Sequence, residues 1–163
     1  MRTFLASLSI VLLIAGCDTA TEAFPSSVRP GVVYLDVRGN ARVVIDGVRV
    51  ADADPFVGEV SSERPVVRAG VPFDVTVATH TGSDPCWDAA PSDVSVAGPT
   101  ATVSVFDEVF ERPCSLEGTM TPRTDEVVFA DPGAAEVVIR GVRGDMGVLE
   151  PSPYELRFDV VVE

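Results

Sequence analysis

Tyr154-Glu155-Leu156-Arg157-Phe158-Asp159-Val160-Val161-Val162 is the stretch that decides the fold. Tyr154, Leu156, Phe158, Val160 and Val162 recur at every second position, while Glu155, Arg157 and Asp159 occupy the positions between them. Successive side chains of an extended strand point to opposite faces, so this spacing gives one apolar and one wet face; a helix would scatter the same residues around its circumference. The same period recurs upstream. Val33, Leu35 and Val37 share a face, and Phe73, Val75 and Val77 alternate with Asp74, Thr76 and Ala78. Val94 and Val96 continue the pattern, and Ala101, Val103 and Val105 point inward from a further strand. Between these runs stand turn residues. Asp46-Gly47 suits a two-residue hairpin that sets Ile45 opposite Val48. Gly98-Pro99 reverses the chain before residue 101, and Asp131-Pro132-Gly133 separates 127–129 from Val137 and Ile139. Prolines and glycines interrupt the runs too often for a long helix. The expected class is all-β, an antiparallel sandwich of about seven to nine short strands with one core.

Two pieces of residues 64–163 carry a family resemblance: the entry Ala69-Gly70-Val71-Pro72-Phe73 into an alternating strand, and the strand–turn–strand succession over 129–142. Together they resemble the immunoglobulin-like domains of bacterial surface lipoproteins, which implies an immunoglobulin-like sandwich over 64–163. Residues 31–63 would add extra N-terminal strands and the hairpin to a single domain of 31–163. The hairpin also looks like the short surface β-modules that contain Ile-Asp-Gly. No activity follows from either likeness, because sandwiches host many functions.

The start of the chain has a different character. Residues 3–16 hold no charged side chain, follow Arg2, and centre on Ile10, Val11, Leu12, Leu13 and Ile14. A helix needs about 20 apolar residues to span a bilayer, and this run is broken by Ser7 and Ser9 and stops at Gly16. The layout is that of an export signal. Its end, Ile14-Ala15-Gly16-Cys17, resembles the bacterial lipobox at all four positions. The resemblance implies removal of residues 1–16 as a signal peptide and lipidation of Cys17 by acyl chains. Each buried CH₂ contributes about 0.8 kcal/mol to anchoring. Asp18 resembles an inner-membrane retention signal of some Gram-negative bacteria; the choice between inner and outer membrane stays open. Residues 17–30 offer Phe24 as their one large aromatic group among Thr, Ala, Ser, Pro and Glu, and read as a flexible tether.

Twelve basic residues face 25 acidic ones, a formal charge of −13, and loss of Arg2 with the signal leaves the exported chain more negative by a single charge. Nucleic acid is a poor partner for such a chain. Every basic side chain is arginine, glutamine is absent and Asn40 is the single asparagine, a bias that speaks of a GC-rich genome and of solubility.

Two cysteines remain besides Cys17. Cys86 and Cys114 lie in stretches rich in Pro, Asp and Ser, and an exported compartment permits their oxidation to a disulfide. A bridge closing 28 residues would add about 3.5 kcal/mol in chain-entropy terms and would clamp loops at one end of the sandwich. A thiol metal or redox site lacks a CxxC pair, and His80 is the only histidine. No GxSxG elbow occurs, so an enzyme is not expected. Asp84, Asp88 and Asp93 gather around Cys86, and Asp52 and Asp54 stand elsewhere, but neither group matches a calcium loop; they read as solvated acids. No metal and no cofactor is expected.

Trp87, the single tryptophan, stands beside Cys86 in what reads as a polar loop, either as an exposed anchor or folded back over the end of the core. Trp87, His80 and Asp84 are the candidate partner-binding residues. Thr81-Gly82 followed by Trp87 also resembles the tip loop of immunoglobulin-like cysteine-protease inhibitors, with a longer spacing to the tryptophan. The main expectation is a membrane-anchored, extracytoplasmic module that binds an envelope protein or supports an assembly. Its rivals are a carrier for a small apolar ligand, a protease inhibitor and an enzyme.

Overall fold

The computed structural model describes residues 26–35, 40–51, 63–82, 87–110, 118–143 and 152–163. Cys17, Asp52, Asp54, Asp84, Cys86 and Cys114 lie outside the described residues, as does the expected signal peptide. Among the described residues eleven strands run in chain order: β1 (Ser26–Pro30), β2 (Val32–Val33), β3 (Val43–Ile45), β4 (Val48–Ala51), β5 (Val66–Val67), β6 (Phe73–Gly82), β7 (Trp87–Ala97), β8 (Thr100–Phe110), β9 (Gly118–Val127), β10 (Gly133–Arg143) and β11 (Ser152–Val162). No helix occurs among the described residues.

The strands form two layers. One has the order β7-β8-β10-β11-β5, the other β9-β6-β3-β4, and β2 joins them by pairing with β10 on one side and β6 on the other. Ile45, Val75, Val77 and Val127 from one layer meet Ala101, Val103, Val105, Val137, Ile139 and Val160 from the other, all essentially without solvent contact. These are the inward positions that the period-two pattern marks, so the all-β sandwich is what the alternation dictates.

The tight turns follow their residue types. Ile45 pairs with Val48, and the intervening Asp46 and Gly47 have φ of 47° and 77°, both positive as a type I′ hairpin requires. Gly98 has φ 58°, and Pro99 follows with the negative φ its ring imposes, the sequence of a type II′ turn between β7 and β8.

Four features depart from the sequence-based expectation. First, β8 and β10 pair in parallel, because the chain crosses to the other layer through β9 between them. The sheets of an immunoglobulin fold are antiparallel, so the likeness reaches the two-layer architecture and not this strand order. Second, Ser26–Pro30, inside the expected tether, pairs as β1 with 106–110 of β8. Its side chains are mostly exposed and polar, so the strand is held chiefly by backbone pairing, with Ser26 Oγ donating to Glu108, and leaves no apolar alternation to read. Third, β9 begins at Gly118, well before the expected strand at 127–129, since its inward positions include Arg123 and Asp125 rather than apolar residues. Fourth, Trp87 is the first residue of β7, paired with Val109, and not a loop residue. A register shift between Ala90 and Asp93, at Pro91, breaks the alternation there.

Candidate functional site

The two ends of the sandwich differ. At one end stand the tight connections through Asp46-Gly47, Gly98-Pro99 and 131–133. At the other end finish β6 at Gly82, β8 at Phe110 and β10 at Arg143, and there begin β1, β7, β9 and β11. The connections 83–86, 111–117 and 144–151 all leave from this second end. Cys86 and Cys114 therefore belong to connections whose flanking strands converge: Gly82 pairs with Gly118, and Trp87 with Val109.

Beneath that end a polar network crosses the core. Asp107 continues the inward series Ala101, Val103 and Val105 of β8 and is 2% exposed; Arg123 reaches it from β9 and is 8% exposed. The Arg123 guanidinium donates through Nη2 to Asp107 Oδ1, through Nη1 to the Phe106 and Ala90 carbonyls, and through Nε to Thr79 Oγ1 at 2.8 Å. Thr79, fully buried, donates in turn to the Thr121 carbonyl at 3.1 Å, and the second Asp107 oxygen accepts from the Val32 amide at 3.0 Å. The Arg123–Asp107 pair thus ties β7, β8 and, through Asp107, the crossover strand β2 to β6 and β9. Every group in it is satisfied from within the fold, as a buried ion pair requires. Its chemistry is mechanical: it offers no free base, nucleophile or oxyanion donor.

The candidate residues do not converge. Trp87 opens the edge strand β7 opposite Val109, at the end of the sandwich, and is 38% exposed. His80 sits half-buried on β6 in the other layer, opposite Met120, with its ring 6.3 Å from Tyr34. Its Nδ1 is buried without a hydrogen-bond partner among the described residues. Asp88 accepts from the Ala89 amide, and Asp93 lies beyond the bulge. Among the described residues no three His, Cys, Asp or Glu side chains could share a metal ion.

A shallow open groove of about 340 Å³ lies where β8 and β10 separate, lined by Pro30, Ser104, Phe106, Arg140, Gly141, Pro153, Tyr154 and Glu155. Its charges are already matched. Arg140 Nε bonds Glu155 at 2.8 Å, and Arg157 bridges Glu155 at 2.5 Å and Glu136 at 2.7 Å. Hydrogen bonds from Arg140 and Arg157 hold the Glu155 carboxyl below its ordinary range, and the same ladder raises Arg157. A second open concavity of about 330 Å³ at the opposite end is lined by Asp46, Arg68 and Phe73 among others.

The network was missed by sequence reasoning, although one signal pointed to it: Asp107 holds the inward parity of an otherwise apolar strand. Nothing comparable marked Arg123, since β9 carries no apolar alternation around it. No protein-family model matches the chain, and no match was found among curated proteins or solved structures.

Proposed function

We propose that this chain is a lipid-anchored, extracytoplasmic envelope protein whose β-sandwich serves as a non-enzymatic binding or structural module. The observation that carries the proposal is the tetrad Ile14-Ala15-Gly16-Cys17 closing an uncharged, apolar leader. Pairing of the folded chain from Ser26 onward, nine residues after that cysteine, fits a compact domain held close to its anchor. A non-catalytic role is supported by the fate of the buried ionic groups: Arg123 and Asp107 are paired with each other and spent on joining the layers, and neither lines either of the two concavities described. The carrier reading draws less support, because the two concavities are open surface features and valine, isoleucine and phenylalanine side chains fill the space between the layers. A Cys86–Cys114 disulfide belongs to the same proposal, since oxidation is available to an exported chain and the flanking strands bring both connections to one end.

Mass spectrometry of the protein from membranes tests the anchor. The wild type is expected to lack residues 1–16 and to carry acyl mass on Cys17, while Cys17→Ala keeps the leader and gains no lipid. Identical masses for the two, with both in the detergent phase, would overturn the assignment.

A further inference from the structure

We infer that the sandwich stands with its Trp87 end toward the bilayer and that the Trp87 indole rests in the lipid headgroup interface. The inference rests on the proposed lipidation of Cys17 and adds an orientation and a lipid contact to it.

The register supplies the geometry. Ser27 and Trp87 both pair with Val109, one on each side of β8, so they lie about two strand spacings, roughly 10 Å, apart. The chain therefore enters the fold beside Trp87. From Ser26 back to Cys17 there are nine peptide units, which extend at most about 32 Å whatever their conformation. An acylated Cys17 keeps this end within that distance of the membrane, whereas the tight-turn end, about one strand length from Ser26, is free to stand farther off.

Trp87 suits an interface chemically. It is the only tryptophan, 38% exposed, and its backbone is fixed by the β7–β8 ladder, so little freedom is lost when the indole is placed. Indoles concentrate at headgroup level, where one edge is apolar and the N–H stays wet. The acid excess of the chain makes neutral headgroups the matching surface and anionic ones a poor one. Lipid contact also accounts for an exposed tryptophan at the end from which the connections carrying Cys86 and Cys114 depart.

The test uses the full acylated protein in phosphatidylcholine vesicles whose acyl chains carry bromine just below the headgroups, which quenches nearby indoles. A second probe moves the tryptophan down the same strand: Trp87→Phe combined with Val96→Trp, at a site 43% exposed and about 30 Å from position 87. Quenching and a blue shift in the wild type, with neither in the double variant, support the orientation. Equal quenching of both probes means that the domain lies on its side, and no quenching of either, or quenching of the double variant alone, places Trp87 away from lipid; each overturns the inference. Intact mass of the same samples reports acylation independently. Unquenched Trp87 in protein that carries its acyl chains sinks the orientation alone, whereas absence of acyl mass sinks the anchor.

Discussion

Arg123 and Asp107 show how much a single residue's surroundings decide. A charge removed from water is tolerated only when every donor and acceptor finds a partner, and this pair does so through Thr79, two carbonyls and the Val32 amide. Arg123→Met strands the Asp107 carboxylate and is expected to cost about 3–5 kcal/mol in urea unfolding. Adding Asp107→Asn removes the stranded charge while leaving an oxygen to accept from Val32. The double variant should therefore be more stable than Arg123→Met alone, by at least about 1 kcal/mol. Equal stability of the two would mean that the carboxylate is not isolated by loss of its partner.

At the scale of elements, the crossover of β1 into β2 depends on two glycines. Gly31 accepts from Val142 and donates to Val105, wedging the chain into the fork where β8 and β10 separate. A Cβ on Gly141 would lie 2.6 Å from the Gly31 carbonyl oxygen and 3.0 Å from Val105 and Val33. Gly141→Ala must push the crossover aside, and overpacking of this kind costs about 1–3 kcal/mol. Hydrogen exchange should report it first at Val32 and Val142; a variant with wild-type stability and protection would show that the fork yields freely. The edges are also guarded. β7 carries Pro91 at its bulge, and β9 carries Pro122 with Arg123 and Asp125 turned inward, devices that discourage pairing with a second sheet.

The proposed disulfide belongs to this scale too, because it would join the β6–β7 connection to the β8–β9 connection. Non-reducing peptide mapping of exported protein should recover Cys86 linked to Cys114. Reduction should lower the melting temperature by roughly 10 °C, given about 3.5 kcal/mol for such a loop. Free thiols at both positions in protein taken from the envelope would refute the bridge.

For the molecule as a whole, charge and anchoring set the conditions under which any partner is met. A formal charge of −13 favours solubility and disfavours polyanions. Tethering by Cys17 would leave the end bearing Asp46-Gly47, Gly98-Pro99 and 131–133 as the face turned toward the surroundings, with exposed Val66, Val71 and Val128 near it.

The all-β class, the inward faces of β6, β8, β10 and β11, and the Ile45–Val48 pair that closes the β3–β4 hairpin were all present in the sequence by itself, whereas the bulge at Val43/Val44 was not. Those features depend on local rules, the period-two alternation and the backbone preferences of Asp-Gly and Gly-Pro, which act between residues adjacent along the chain. Only the tertiary structure decided the parallel β8–β10 pair, the strand role of Ser26–Pro30, the Arg123–Asp107 network and the placement of Trp87 beside the chain's entry. Each of these depends on which distant segments share hydrogen bonds. An inward arginine or an exposed edge strand is stabilised by partners 16 or 80 residues away in sequence, so neither leaves a local hydrophobic pattern to read.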